Sequence, residues 1–212
     1  MQVYDNRISP SRQQKHLLLV NHCYGFGKYN LPMLEVTNLF WLDLEMTGLG
    51  DEQVIVEIAS LITDPNLQIL AEGPEIAIHR TAKEMSRMEA WPAVQHKKTG
   101  LLDRIEASET DVVEAERQTL EFLKKWMPEN TAPLCGNSIW VDRRFLHKEM
   151  PNLEGYLHYR MIDVSSIKEL VRRWYPNLVI PDKRGKHLAM DDIKDSVEEL
   201  RWYRQNVFVS GQ

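Results

Sequence analysis

Two carboxylates, Asp43 and Glu45, stand on either side of Leu44 in the run Leu39-Phe40-Trp41-Leu42-Asp43-Leu44-Glu45-Met46-Thr47-Gly48. The run reads as a buried β-strand that ends in a turn. Alternate residues of a strand face opposite ways, so Phe40, Leu42 and Leu44 share one face and Asp43 and Glu45 the other. Neighbouring carboxylates on one face repel unless a proton or a cation lies between them. The pair is therefore either the polar outer face of a half-exposed strand or half of a cation site, and the stretch alone does not choose. Two further acids could complete such a site. Asp142, in Gly136-Asn137-Ser138-Ile139-Trp140-Val141-Asp142-Arg143-Arg144-Phe145, opens a helix just after a short strand. Asp192, in His187-Leu188-Ala189-Met190-Asp191-Asp192-Ile193, precedes an inward position of the last helix, with His187 in the loop or first turn before it. Both have a plainer reading, because acids favour the first helical turn and its dipole whatever they do.

The elements that must position these groups follow an α/β pattern from Leu39 onward. A strand over 39–45 leads through the turn Thr47-Gly48-Leu49-Gly50-Asp51 to strands over 54–63 and 68–79, which are joined by Asp64-Pro65-Asn66. Segment 81–106 is helical and broken, punctuated by Pro92 and Gly100. A long amphipathic helix spans about 109–127, with Ser108 as its N-cap, Glu116, Leu120 and Leu123 at helical spacing, and Pro128 at its end. Short strands over 133–136 and 160–163 alternate with helices over 140–149 and 165–175, and the last helix covers about 189–205. Consecutive strands followed by strands separated by helices predict a mixed β-sheet flanked by α-helices.

Composition narrows the function classes. At 212 residues the chain is one domain or one domain plus an arm. Residues 1–36 are rich in Gln, Asn, Ser and Gly with scattered Arg7, Arg12, Lys15 and Lys28, and read as a poorly structured extension; residues 37–212 read as the domain. Leu17-Leu18-Leu19-Val20 is too short for a secretory core, and Met33 is an alternative start. Cys23 and Cys135 form no CxxC pair, which argues against a disulfide scaffold or a zinc site and fits a reducing, cytoplasmic setting. No apolar run approaches a membrane span. A net charge of -5 is not that of a protein tracking long nucleic acid; a nucleic-acid binder of this charge should grip a short piece at a local site.

Taken in order, Asp-x-Glu on a first strand, an Asp after a later strand and His-x4-Asp on a last helix resemble the DEDDh exonucleases, a family of the ribonuclease-H-like superfamily. The resemblance runs through nearly all of residues 37–209. It is closest to the oligoribonuclease group through Leu42–Leu49, Gly136-Asn137-Ser138 with Asp142–Leu146, His158-Tyr159-Arg160 and His187–Ile193. It implies a ribonuclease-H-like fold, 3′-to-5′ hydrolysis of very short single-stranded RNA, dinucleotides above all, to nucleoside 5′-monophosphates, and a homodimer. Asp43, Glu45, Asp142 and Asp192 would then bind two divalent cations, Mg2+ or Mn2+, which prefer such oxygen ligands. His187 would be the general base, a task suited to a group that titrates near neutrality.

The same resemblance assigns substrate contacts. Leu49 would wedge between two bases, and Trp91 would stack on a base with His96 nearby. Ser138, Tyr159, Arg160 and Ser165 would close around a 5′-phosphate, with Tyr159 and Arg160 supplied by the partner subunit. Loop packing for Leu49 and core filling for Trp91 are the plainer readings. Two other functions compete: a general or proofreading-type DEDDh exonuclease on longer DNA or RNA, and a haloacid-dehalogenase-type phosphatase with Asp43 as nucleophile. The latter leaves His187 and Asp192 unexplained. A third reading, a scaffold or RNA-binding module without activity, leaves every one of these acids without a task.

Overall fold

A computed structural model describes residues 37–181 and 188–208. The expected extension 1–36, the basic run 182–186 and His187 lie outside the described residues. Strands β1 (Leu39–Met46), β2 (Ile55–Thr63), β3 (Ile69–Ala77), β4 (Leu134–Gly136) and β5 (Met161–Asp163) form one sheet in the order β3-β2-β1-β4-β5. The β1–β2 and β2–β3 pairs are antiparallel, and β1–β4 and β4–β5 are parallel. The sheet is thus mixed, as expected, and β1 with its acidic pair is its central strand.

Helices α1 (Ala82–Met85), α2 (Ala90–Thr99) and α3 (Leu101–Ala107) follow β3; α4 (Val112–Lys124) precedes β4. Helices α5 (Trp140–Glu149) and α6 (Pro151–Tyr156) lie between β4 and β5, and α7 (Val164–Trp174) and α8 (Ala189–Asn206) complete the described elements. Phe40, Leu42 and Leu44 pack with Ile58, Leu123, Phe145 and Leu146 on one side of the sheet. Trp41 packs with Leu61, Ile193, Val197 and Tyr203 on the other. Both faces of β1 are therefore covered, and Trp41, on the face of the carboxylates, is fully buried. The reading of Asp43 and Glu45 as a solvated outer face is thereby removed.

Local chemistry corrects some boundaries. Gly100, at φ 76°, separates α2 from α3 as expected, but Pro92 lies inside the first turn of α2, where its missing N–H costs nothing. Ser108 does not cap the long helix. Its hydroxyl donates to the Ala77 carbonyl at 2.7 Å, and Asp111 is the N-cap, accepting the Glu114 N–H at 2.8 Å. Glu116, on the inward face of α4, accepts N–H bonds from Asn152 (2.6 Å) and Leu153 (3.0 Å) and thus caps α6, an element the sequence pattern does not announce. Glu116→Ala leaves the buried Leu153 N–H without an acceptor and should lower unfolding free energy by about 2 kcal/mol in a urea titration. A loss below about 0.5 kcal/mol, the scatter of surface substitutions, would mean that the cap is dispensable.

Candidate active site

The apolar stripe of α8 (Ile193, Val197, Leu200, Tyr203) lies against the sheet face that carries Trp41. That packing brings Asp192, in the first turn of α8, over the end of β1. Carboxylate oxygens of Asp43, Glu45 and Asp192 lie within 4.8 Å of one another. All are half-buried. Among the described residues, three convergent carboxylates with no nitrogen or sulfur donor in the group make a set suited to a hard divalent cation, so these residues fit the metal that the resemblance implies.

The electrostatics agree. Burial, followed by the charges of Glu57, Asp192 and Asp142, pushes the Glu45 carboxyl up to about 8, and Arg104 opposes the shift. Glu57 is the cross-strand partner of Glu45. It is fully buried, and burial raises its carboxyl too, although Arg104 pairs with it at 2.6 Å. A nearby divalent cation would favour the ionised form of each of these groups.

Asp142 is not brought into this trio. It opens α5 as expected, but its Oδ1 accepts the Leu44 N–H at 3.0 Å. β4 pairs with β1 only at Phe40 and Trp41 and ends at Gly136, so the carboxylate continues the hydrogen bonding of β1 where the strand partner has stopped. Burial raises its carboxyl. His96 has a comparable task at the end of β1. Its ring is buried, Nε2 donates to the Met46 carbonyl at 2.9 Å, and Nδ1 lies 3.8 Å from Glu45 Oε2. Burial lowers its pKa, and the hydrogen bond to Met46 opposes the shift. It is placed to hold the strand end rather than to present a face to a base.

Leu49 and Trp91 are 60% and 64% exposed, which removes loop packing and core filling as their roles. The turn that carries Leu49 is fixed from several sides. Thr47 exchanges backbone bonds with Val54 and Glu89 (3.0 and 2.8 Å), and a Cβ at Gly48 would lie 2.4 Å from Glu89 Cδ. Lys148 donates to the carbonyls of Asp51 and Gln53, and Arg144 to that of Leu49.

The expected phosphate-closing residues divide in two. Ser138 and Ser165 meet, with hydroxyls 3.2 Å apart, and Asp163 Oδ1 accepts both of their backbone N–H groups at 2.9 Å. Ser138 holds φ 51°, a conformation a serine adopts only where its surroundings dictate it. Tyr159 and Arg160 are exposed on the segment between α6 and β5. Arg143 holds that segment by donating to the carbonyls of His158 and Tyr159, each at 3.0 Å. Arg143, Asp163 and Glu57 were not singled out by the sequence reading. A single acid inside the apolar stretch Val54-Ile55-Val56-Glu57-Ile58-Ala59 was the available signal for Glu57.

Comparison with known proteins adds a second line. Residues 40–200 match the RNase T family of exonucleases. The oligoribonuclease of Vibrio vulnificus is 53% identical over 173 residues, covering 81% of this chain and 96% of that protein. The oligoribonuclease of Acinetobacter baylyi is 51% identical over 175 residues, with 82% and 96% covered. Among solved structures, the metal-free complex of E. coli exonuclease I with single-stranded DNA superposes with a TM-score of 0.61 at 12% identity. That match covers 81% of this chain and 40% of exonuclease I, and at such identity it reports the fold alone. A zinc-bound form of the same complex superposes equally well, at 0.61 and 11%.

A pH dependence follows from Glu45. Its carboxyl is raised from 4.5 to about 8, so the cation-free protein should be most stable below about pH 4.5 as far as this group is concerned, and lose that contribution as pH rises through about 8. A cation needs the ionised form, so binding at pH 7 should release protons and tighten as pH rises toward 8. Calorimetry of Mn2+ binding in buffers of different ionisation enthalpy reads the release directly. Binding heats that are independent of buffer would contradict it.

Proposed function

The chain belongs to the oligoribonuclease family of exonucleases, and on that premise we propose that it removes nucleotides from the 3′ end of very short RNAs, dinucleotides above all, as nucleoside 5′-monophosphates. The observation that carries this reading is the convergence of Asp43, Glu45 and Asp192. These acids, with Asp142 as a fourth from beside β1, would hold two divalent cations, Mg2+ or Mn2+. Such cations, when bound, supply charge neutralisation at the phosphate and stabilisation of the departing 3′-oxygen.

The protein's own groups do the rest. His187 takes the proton of the attacking water as general base. Leu49, exposed beside the acids in a turn held by Lys148 and Arg144, separates the two bases of the substrate. Trp91 offers a ring to one of them. Ser138 and Ser165 offer hydroxyls to the terminal 5′-phosphate, and Arg160 and Tyr159 of a second subunit close over it in a homodimer. Such a cap sets substrate length, because a longer strand has nowhere to pass. The net charge of -5 supports this over a general exonuclease, which needs a basic track along the strand.

An end-labelled RNA ladder of lengths from two to ten, incubated with Mg2+, tests the length limit. The dinucleotide should be consumed far faster than the longest species; equal rates across the ladder would point instead to a general exonuclease. Asp43→Asn should lower turnover of the dinucleotide on the order of 100- to 1,000-fold, the scale seen when one preorganised electrostatic group is lost from an active site. Full turnover in that variant would remove the acids from the chemistry.

A further inference from the structure

We propose that Glu57 is a positioning residue that engages Arg104 and so keeps this guanidinium off Glu45, leaving Glu45 open to the cation; the inference rests on the cation reading of the Asp43, Glu45 and Asp192 cluster.

Glu57 lies directly across from Glu45 in the β1–β2 register and shares its face of the sheet. It is the one acid in a strand buried at every position. A charge at such a place is costly unless paired. The partner is Arg104 of α3, whose Nη1 lies 2.6 Å from Glu57 Oε1 and 3.5 Å from Glu75 Oε1 on β3. Arg104 is thus held over β2 and β3, one strand away from Glu45. Its charge is nevertheless felt at Glu45. Its Nη2 is buried without a hydrogen-bond partner, and so are both carboxylate oxygens of Glu57, so the two are held by charge and the guanidinium retains an N–H that another carboxylate could accept.

These facts define a competition. A guanidinium pairs well with a carboxylate, often through two parallel bonds, and a ligand engaged in that way is not available to a cation. Glu57 is the group that decides it, because it is wholly buried and sits between Arg104 and Glu45, whereas Glu75 is partly exposed to solvent. Without the Glu57 charge, Arg104 keeps only its 3.5 Å contact with the partly exposed Glu75, and its charge is free to turn toward the metal ligands. It then repels a divalent ion and competes with it for Glu45. A residue that merely filled space would act differently: its removal could not be repaired by deleting Arg104 as well.

The test is Mn2+ binding by isothermal calorimetry on the full chain, with thermal unfolding of each variant as a check on folding. Glu57→Gln keeps the shape and removes the charge, and should weaken Mn2+ binding about tenfold or more, the range for residues that support metal ligands. Adding Arg104→Met should restore affinity to within about threefold of wild type. Unchanged affinity in Glu57→Gln, or a double variant as weak as the single one, would overturn the proposal. Should Glu57→Gln not fold, the double variant decides alone: wild-type affinity supports the proposal and a tenfold loss overturns it. A wild-type chain that binds no Mn2+ would remove the cation reading itself and this proposal with it, an outcome distinct from wild-type binding with an indifferent Glu57→Gln.

Discussion

Repulsion among carboxylates confined to a small volume is the constraint around which this molecule is arranged. Asp43 and Glu45 share a face of the central strand, Asp192 is pressed toward them by α8, and Glu57 lies one strand away. None can escape to solvent by a change of register, because a shift by one residue would turn Trp41 out of its core and the carboxylates into the other. The fold therefore confines these acids close to one another, where opposite charge relieves them. Arg104 relieves Glu57. Burial and the neighbouring acids push the Glu45 carboxyl up to about 8.

The strand that carries Asp43 and Glu45 is secured where its ladder ends. Asp142 takes the Leu44 N–H, His96 holds the Met46 carbonyl, and Thr47 is tied to Val54 and Glu89. Lys148 and Arg144 then grip the turn beyond. Each is a side chain completing backbone hydrogen bonds at the edge of regular structure, and together they fix the stretch from Leu44 to Gln53. Catalytic geometry on this scale depends on such support, since displacement of a reacting group by about 1 Å can cost about 100-fold in rate.

The mixed sheet, the central place of the acidic strand and nearly every element were legible, because hydrophobic period and turn residues are local signals. Gly100 announced its break. Ser108 misled because the Ala77 carbonyl, on another element, claimed its hydroxyl, and Asp111, three residues on, caps the helix. Helix α6 was hidden because its cap, Glu116, comes from a distant helix. The site was legible as types and order: Asp43, Glu45 and Asp192 do converge. What could not be read was which atoms each group would face. The hydrogen bond of Asp142 to Leu44 depends on where β4 stops, and the burial of His96 on how α2 docks against β1. Trp91 and His96 belong to the same helix, yet one is exposed and the other enclosed.

Crystals soaked in Mn2+ and measured at a wavelength where manganese scatters anomalously test the central claim most directly. Anomalous density bounded by Asp43, Glu45 and Asp192 is expected, and is lost in Asp43→Asn. Manganese bound elsewhere on the surface, with those three carboxylates bare, would contradict it.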